Sequence, residues 1–261
     1  MSSKFTKLWE TKNTNDEWWS SFVTSPLAIL FNFVVVDWKI LTPNRITFLS
    51  SLVSFMACVL IIFGTYPAFV LAAVLINLGH IFDCMDGQMA KYRGVSSPFG
   101  SYYDKVTDQI KIFLFFVSSS YAAYQKTQDI TVIFLAFTGV SFYYFRVYVK
   151  YLTMFIEMEN NPNYLADCDK IEQPKKNNVA GPGKGFFNNA LWLLKEQRKF
   201  FLFNEAVFIF LVSFGLIFNQ LTLILWIFAI SQVYYGFRRS WQRGAQIYRH
   251  QHDDLLKPME K

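Results

Sequence analysis

Long uncharged or nearly uncharged stretches recur along the chain and predict membrane-spanning helices. They cover residues 46–64, 66–79, 112–124, 130–145 and 206–237. Because about 20 residues cross the core of a bilayer, the last stretch holds two helices, and Asn219 and Gln220 near its middle predict a tight hairpin between them. The pattern therefore predicts six spans.

Some of these stretches are too short to cross a bilayer by themselves. The 66–79 stretch becomes long enough only if its helix continues into the polar residues that follow it. We therefore expect those polar residues to lie inside the membrane or at its interface.

Residues 22–36 form a further apolar stretch, for which we predict a different placement. The stretch is short and contains Pro26, and tryptophans flank it at positions 18, 19 and 38. Because tryptophan rings favour the membrane interface, we predict an amphipathic helix that lies in the interface.

Composition also indicates a membrane protein. Of 261 residues, 53% are hydrophobic and 19% aromatic, which is more apolar surface than a soluble domain of this size buries. The polar N-terminus lacks the apolar core of a signal peptide, so it is expected to be retained. The cysteines at positions 58, 84 and 168 show no CxxC spacing, and neither a zinc site nor a disulfide framework is expected.

The net charge of +6 raises the question of a nucleic-acid partner, which the positions of the charges answer. With a cytoplasmic N-terminus, the outward connections fall near Thr65, at 125–129 and at 219–220. Of all Lys and Arg residues, only Lys126 lies in these connections. Since basic residues collect on the cytoplasmic side of membrane proteins, both termini are predicted to be cytoplasmic and no nucleic acid is needed.

We divide the chain into three parts on this basis. Residues 1–41 are a cytoplasmic tail with the interfacial helix, 42–240 a six-helix membrane domain and 241–261 a cytoplasmic tail. The polar stretch 157–199 is predicted to be a flexible cytoplasmic loop. Its GPGKG segment at 181–185 is similar to a phosphate-binding loop, but no Ser or Thr follows the lysine and no strand precedes it, which favours an ordinary loop.

Four aspartates form the most informative pattern. Asp83 and Asp86 are three residues apart, and Asp104 and Asp108 are four apart, so each pair shares one face of a helix. Gly94 and Pro98 break the chain between the pairs. We therefore predict two antiparallel neighbouring helices on which all four carboxylates converge.

Carboxylates near a membrane need compensation, because a buried charge there is costly. Oxygen ligands of this number suit Mg²⁺, Mn²⁺ or Ca²⁺, and one or two ions would neutralise the cluster. The alternative is salt bridging to nearby basic residues, which are Lys91, Arg93, Lys105 and Lys111. Small residues interleaved with the acids favour the metal site, since they leave room for a flat base or a diphosphate; they are Gly87, Ala90 and Gly100.

These residues follow the pattern D-x-x-D-G-x-x-A-K-x8-G-x3-D-x3-D. It closely resembles the CDP-alcohol phosphotransferase motif, which has Arg in place of the Lys. The resemblance implies a six-helix membrane bundle preceded by an interfacial helix, usually a homodimer, with its site open to the cytoplasm. It also implies Mg²⁺ or Mn²⁺, with two ions expected.

The resemblance assigns roles to individual residues. Asp83, Asp86 and Asp104 would be metal ligands, and Asp108 would be the general base that can also touch a second metal. The CDP-binding residues would be Thr42, Pro43, Asn44, Gly87, Ala90, Lys91 and Gly100. Because Lys91 lacks the bidentate fork of Arg, Arg93 is an alternative contact to the diphosphate.

The implied reaction belongs to phospholipid synthesis in the cell or inner membrane. A hydroxyl acceptor attacks the phosphorus of a CDP-linked donor and CMP leaves. We favour CDP-diacylglycerol with a polar alcohol such as serine, glycerol phosphate or inositol phosphate, and CDP-choline or CDP-ethanolamine with diacylglycerol is the alternative. A metal or proton transporter is a rival class. Such a protein should carry polar groups across the midplane of its spans, but the first, fourth, fifth and sixth predicted spans have almost none there.

Other residues have two interpretations each. Basic residues at the inward ends of the fourth and sixth spans either anchor helices at the cytoplasmic face or contact a phosphate of the donor or acceptor. They are Arg146, Lys150 and one of the group Arg238, Arg239 and Arg243, for which we name Arg238. His80 is either packed or a neighbour of the metal ligands, and Lys111 is expected to offset carboxylate charge. Tyrosines that could cage a quaternary ammonium, but more often serve packing, are Tyr143, Tyr144, Tyr148 and Tyr151.

Overall fold

The computed structural model describes residues 3–13, 17–166 and 185–256, and its regular elements in these ranges are all helical. The helices are α1 (Ser3–Glu10), α2 (Ser25–Val35), α3 (Pro43–Phe63), α4 (Tyr66–Arg93), α5 (Pro98–Thr127), α6 (Thr131–Asn160), α7 (Phe186–Glu196), α8 (Glu205–Ile217) and α9 (Leu221–Leu256). A π-helical turn, Ser20–Thr24, leads into α2, and a 3₁₀ helix, Gln197–Leu202, follows α7.

The predicted turns between the apolar stretches are confirmed. α3 ends at Gly64 and α5 at Gln128, and Asn219 lies in the connection between α8 and α9. These three residues have a left-handed backbone, with φ of 69°, 56° and 56° respectively. Such residues end helices because the backbone can no longer continue the right-handed spiral. The 206–237 stretch is therefore two helices, as predicted.

The continuation of the short apolar stretches into polar sequence is also confirmed. α4 runs unbroken for 28 residues to Arg93, well past the end of its apolar part. Gly94, with φ of 65°, ends it, and α5 starts at Pro98 with the Ser97 side chain accepting from the backbone N–H of Gly100. The aspartates consequently lie on regular helix at one end of this pair.

Within the described residues, four helices are long and apolar enough to cross a membrane: α3, α4, α6 and the part of α9 up to Arg249. The other two predicted spans fall short for different reasons. α5 has 30 residues, but its first half carries the acidic and basic groups of the motif. α8 is apolar but has 13 residues, which at 1.5 Å per residue extend about 20 Å.

Aromatic side chains fill the core where α5, α6, α8 and α9 meet. The rings of Phe116 and Phe228 stack with centroids 3.7 Å apart, and Phe208 packs on Phe116 at 5.2 Å. Gly139 of α6 faces this stack, and a Cβ there would lie 2.3 Å from a ring carbon of Phe228. The glycine therefore allows α6 and α9 to pack closely.

The π-helical turn and α2, which follow each other directly, pack with their polar side inward. Ser20, Thr24 and Asn32 are buried, whereas Leu30 and Val34 are exposed by 55% and 62%. Asn32 donates to the carbonyl oxygen of Met85 at 2.9 Å, which ties α2 to α4. Apolar side chains point away from the protein here, as expected for a helix against lipid, and its interfacial position stays a prediction.

Two segments expected to be irregular are folded. Residues 3–10 form α1, whose Leu8 is fully buried against α2 and α4. Within 157–199 the flexible-loop prediction is wrong for α7 and the 3₁₀ helix, which pack through contacts such as Trp192 on Phe22, with ring centroids 5.6 Å apart. α9 likewise continues to Leu256, into the predicted tail.

Some predictions fall outside the described residues. They concern residues 167–184 of the predicted loop, which include Cys168 and the first four residues of the GPGKG segment.

Candidate active site

Three of the four motif aspartates converge at the ends of α4 and α5. One carboxylate oxygen each from Asp83, Asp104 and Asp108 lie within 4.8 Å of one another. The chain reverses between Arg93 and Pro98, and α3 packs against both α4 and α5, which brings the two acidic faces within reach of each other. The prediction that α4 and α5 are packed neighbours is wrong, because they make few direct contacts and α3 lies against both. The predicted convergence is confirmed for these three residues.

Asp86 departs from the prediction that all four carboxylates converge. It lies three residues after Asp83 and turns towards α3, where its carboxylate accepts a hydrogen bond from the hydroxyl of Thr47. It is 6% exposed and does not belong to the group of three. Asp86 lines the same cavity, so it contributes negative charge from a separate position.

Lys111 supplies the nearest positive charge. Its Nζ lies 2.5 Å from Oδ1 of Asp83 and 2.7 Å from Oδ1 of Asp108. The expectation that Lys111 offsets carboxylate charge is confirmed. Of the basic residues considered as salt-bridge partners instead of a metal, Lys111 therefore does pair with the motif aspartates, and Asp83 and Asp108 share it.

Arg93 and Lys91, the two basic residues near the end of α4, have different surroundings. The Arg93 guanidinium donates to the backbone carbonyl oxygens of Val36, Trp38 and Leu41 at 2.6 to 2.9 Å and does not line the cavity. It fixes the α2–α3 connection, which removes the support for a diphosphate contact. Lys91 does line the cavity, and its Nζ donates to Asn13 and to the carbonyl oxygen of Thr11.

The acids surround a cavity of about 200 Å³. Its lining comes from α4, α5, the start of α8, the start of α2 with the π-helical turn before it, and the segment after α1. The lining residues are Thr11, Asn13, Ser20, Ser25, His80, Asp83, Cys84, Asp86, Gly87, Gln88, Lys91, Asp104, Asp108 and Glu205. Gly87 faces open space, since a Cβ there would meet no atom within 4 Å. The site can therefore admit a ligand next to the carboxylates.

Two parts of this cavity were missed by the sequence interpretation. Glu205, at the start of α8, adds a fifth carboxylate. Thr11 and Asn13 come from the segment that we took for a tail. The position of Glu205 could have been predicted as the start of a helix, because an acidic residue just before an apolar stretch is typical of a first helical turn.

The predicted Thr42-Pro43-Asn44 element begins α3. The Thr42 side chain caps the helix by accepting from the backbone N–H of Arg45. A Cβ on Gly100 would lie 3.4 Å from the Asn44 side-chain oxygen, so the first turns of α3 and α5 lie close together. The predicted CDP-binding residues that do not line the cavity are Thr42, Pro43, Asn44, Ala90 and Gly100, and their roles stay predictions.

A divalent cation suits the residues that converge here. Asp83, Asp104 and Asp108 offer hard oxygen ligands that Mg²⁺ and Mn²⁺ prefer, and their spacing allows one ion to reach all three. Five carboxylates line the cavity, and Lys111 forms salt bridges with two of them, so a bound cation would offset negative charge that Lys111 leaves.

The profile of the CDP-alcohol phosphatidyltransferase family matches residues 40–171, about half of the chain. The chain belongs to this family. It is therefore a CDP-alcohol phosphotransferase of phospholipid synthesis, and its apolar helices make it a membrane protein.

Solved structures include a protein of similar fold. The phosphatidylinositol phosphate synthase of Mycobacterium tuberculosis, solved with CDP-DAG bound, shares 18% sequence identity and a TM-score of 0.54. The similarity covers 83% of this chain and 91% of the synthase chain. A search of curated proteins found no match.

A second cavity of this phosphotransferase, about 410 Å³, lies next to the first and is basic. Its charged lining residues are Arg146 and Lys150 of α6 and Arg239 and Arg243 of α9. Arg238, which we predicted here, lies outside it, with its guanidinium 6.0 Å from the ring centre of Tyr235. Its neighbour Arg239 takes the expected place because adjacent residues on a helix face different sides.

The tyrosines do not form a free aromatic cage. The Arg146 guanidinium lies 5.2 Å from the ring centre of Tyr143, and the Lys150 ammonium 5.8 Å from that of Tyr151. Tyr144 donates its hydroxyl to the carbonyl oxygen of Gln109 at 2.7 Å. The protein's own cations thus occupy two of the rings that could have received a quaternary ammonium.

Residues adjacent in sequence line the two cavities. Asp108 lines the acidic cavity and Gln109 the basic one, and the same holds for Glu205 and Asn204. The two cavities are therefore close to each other along α5 and at the start of α8.

Proposed function

We propose that this enzyme transfers the phosphatidyl group of CDP-diacylglycerol to a hydroxyl of a polar acceptor that also carries a phosphate, with release of CMP. The observation that carries the proposal is the pair of adjacent cavities with opposite charge. Donor and acceptor are both anions, so each needs its own source of positive charge.

The acidic cavity is the donor site in this proposal. Asp83, Asp104 and Asp108 would hold the divalent cation, which supplies positive charge to the diphosphate and to the departing CMP. Lys91 lies on the same cavity wall and would add a direct contact to the diphosphate. Gly87 leaves the space beside α4 in which the cytidine end of the donor can lie.

The basic cavity is the acceptor site. Arg146, Lys150, Arg239 and Arg243 provide charge-assisted hydrogen bonds that suit a phosphate group, and no Asp or Glu is among the described residues that line this cavity. A phosphate held there would leave the rest of a small acceptor near the wall that contains Asp108 and Glu205. Inositol phosphate and glycerol phosphate have this chemistry.

Residues near both cavities would carry out the remaining chemistry. A new bond forms between the acceptor oxygen and the phosphorus of the phosphatidyl group, and the bond from that phosphorus to CMP breaks. The acceptor proton would pass to a carboxylate, for which Asp108 is the candidate because it lines the acidic cavity and its neighbour Gln109 lines the basic one. Holding both substrates in line removes much of the entropic barrier.

The alternative with CDP-choline or CDP-ethanolamine and diacylglycerol has less support. Diacylglycerol has no anionic group for the basic cavity, and Arg146 and Lys150 already cover the rings of Tyr143 and Tyr151. The Mycobacterium tuberculosis synthase of similar fold was solved with CDP-DAG bound, which agrees with the favoured donor.

The membrane arrangement that goes with this function has six spans. α5 and α8 join the four long apolar helices as shorter or more polar crossings, and α2 lies in the interface. The site and both termini face the cytoplasm, in agreement with the distribution of Lys and Arg. A homodimer in the cell membrane completes the proposal.

The test is a matrix of CMP-release assays on the purified enzyme. Donors are CDP-diacylglycerol, CDP-choline and CDP-ethanolamine; acceptors are glycerol phosphate, inositol phosphate, their unphosphorylated parents, serine and diacylglycerol. Turnover should require CDP-diacylglycerol, a phosphorylated acceptor and Mg²⁺ or Mn²⁺. Faster turnover of CDP-choline with diacylglycerol would overturn the assignment.

A further inference from the structure

Lys111 occupies an unusual position among the basic residues of the site. Its side chain is 11% exposed, and its Nζ lies 2.5 Å from Asp83 and 2.7 Å from Asp108. The Nζ also lies 3.4 Å from the hydroxyl of the fully buried Ser50, which in turn donates to the carbonyl oxygen of Gly79 at 2.8 Å. The ammonium is therefore held from both α3 and α4.

The ammonium approaches the carboxylates from the apolar core. Lys111 lines a narrow pocket together with Phe115 and Phe208, and it does not line the acidic cavity. Asp108 lines both this pocket and the acidic cavity, and Asp83 lines the acidic cavity. The two aspartates thus have a fixed cation behind them while their front remains accessible to a second cation.

Two of the three carboxylates in the candidate cation site are therefore shared with a lysine. In the metal-free protein the lysine reduces the cost of burying these carboxylates, which would otherwise repel one another. Once a divalent cation binds in front, the lysine charge repels it across a few ångströms of protein. Lys111 would therefore stabilise the metal-free site and destabilise the metal-bound one.

We propose that Lys111 is a resident counter-cation that stabilises the metal-free site and weakens its affinity for the divalent cation. The ion consequently exchanges readily, while the carboxylates keep their positions when no ion is bound. This inference rests on the cation site of the proposed function. Lys111 is a positioning residue, because it acts through Asp83 and Asp108.

The experiment measures Mn²⁺ binding by electron paramagnetic resonance to the purified full chain in detergent. Lys111→Met removes the charge and keeps most of the side-chain stem. Its dissociation constant for Mn²⁺ should fall by roughly tenfold or more. Its melting temperature should drop without metal and recover at saturating Mn²⁺, because ion and lysine compensate the same carboxylates.

Two variants serve as controls. Lys105→Met removes an exposed lysine from the same helix, next to Asp104, and should change Mn²⁺ affinity no more than about twofold, since exposed charges are screened. Lys111→Arg keeps the charge and should keep the wild-type affinity within a similar factor.

The possible outcomes separate this inference from the proposed function. If the wild type binds Mn²⁺ and Lys111→Met binds it equally or more weakly, the inference is wrong and the cation site stands. If the wild type binds no Mn²⁺, both fail. Should Lys111→Met be stable only when purified with Mn²⁺, its release of the ion to a chelator is measured, and release as fast as from the wild type would contradict the inference.

Discussion

The two cavities of this enzyme differ in how their charge is balanced. The acidic cavity collects five carboxylates, and Lys111 pairs with two of them from behind. The basic cavity collects four cations, with no acid among the described residues that line it. The negative charge of the acidic cavity is partly compensated by a lysine, whereas the described lining residues of the basic cavity include no carboxylate that would compensate its positive charge.

This difference would let two anionic substrates meet in one protein, as the proposed function requires. If the acidic cavity holds the donor, a bound cation has to offset the repulsion between its diphosphate and the carboxylates, so we expect donor binding to depend on a metal. The basic cavity can bind an anion directly. Substitutions in the two cavities should therefore have different effects, and the following predictions are ordered from the largest expected effect to the smallest.

Asp83→Asn should reduce CMP release by on the order of a thousandfold, because it removes a carboxylate from the candidate ligand set and a partner of Lys111. Mn²⁺ binding should weaken in parallel. Asp129→Asn, at the exposed turn before α6, is the matched control and should keep wild-type turnover. Normal turnover of Asp83→Asn would remove the acidic cavity from the mechanism.

Asp108→Asn should also lose turnover but keep most of the affinity for CDP-diacylglycerol, if its main role is to accept the acceptor proton. Its position within the group of three carboxylates allows the other role as well. Donor binding and single-turnover rate are measured separately. Equal loss of Mn²⁺ and donor affinity in Asp108→Asn and Asp83→Asn would make Asp108 a ligand.

Arg239→Ala should raise KM for a phosphorylated acceptor by roughly 10- to 100-fold, the usual range for losing a charge-assisted hydrogen bond. KM for CDP-diacylglycerol should stay nearly constant. Arg238→Ala makes the same change one residue earlier, outside the cavity, and should leave both constants unchanged. Equal effects of the two variants would point to general membrane anchoring.

Thr47→Val should reduce turnover by roughly 3- to 10-fold, because Asp86 loses a hydrogen bond in a buried position. Thr47→Ser restores the hydroxyl and should recover most of the activity. Full activity of Thr47→Val would show that the orientation of Asp86 does not matter to the reaction.

The sequence contained most of the information about the acidic cavity. Asp83, Asp104 and Asp108 lie within 26 residues on two helices joined by a short turn, so helical periodicity and the breakers at Gly94 and Pro98 predict their meeting. The division of Asp86 from the other three depended on Thr47 of α3, which no local spacing reveals.

The basic cavity was only partly predictable. Arg146 and Lys150 are one turn apart on α6, but the choice between Arg238 and Arg239 depends on how α9 rotates against α6. That rotation is set by packing such as Gly139 against Phe228, between residues far apart in the chain. Glu205 and the segment with Thr11 and Asn13 were missed for the same reason.

The most direct test of the two-cavity account is equilibrium binding of CDP-diacylglycerol with Mn²⁺ and of glycerol phosphate or inositol phosphate, each measured separately. The wild type is compared with Asp83→Asn, Arg239→Ala and Arg238→Ala. The account predicts that Asp83→Asn loses donor binding and keeps acceptor binding, that Arg239→Ala does the reverse, and that Arg238→Ala resembles the wild type. Loss of donor binding in Arg239→Ala with unchanged acceptor binding would contradict it.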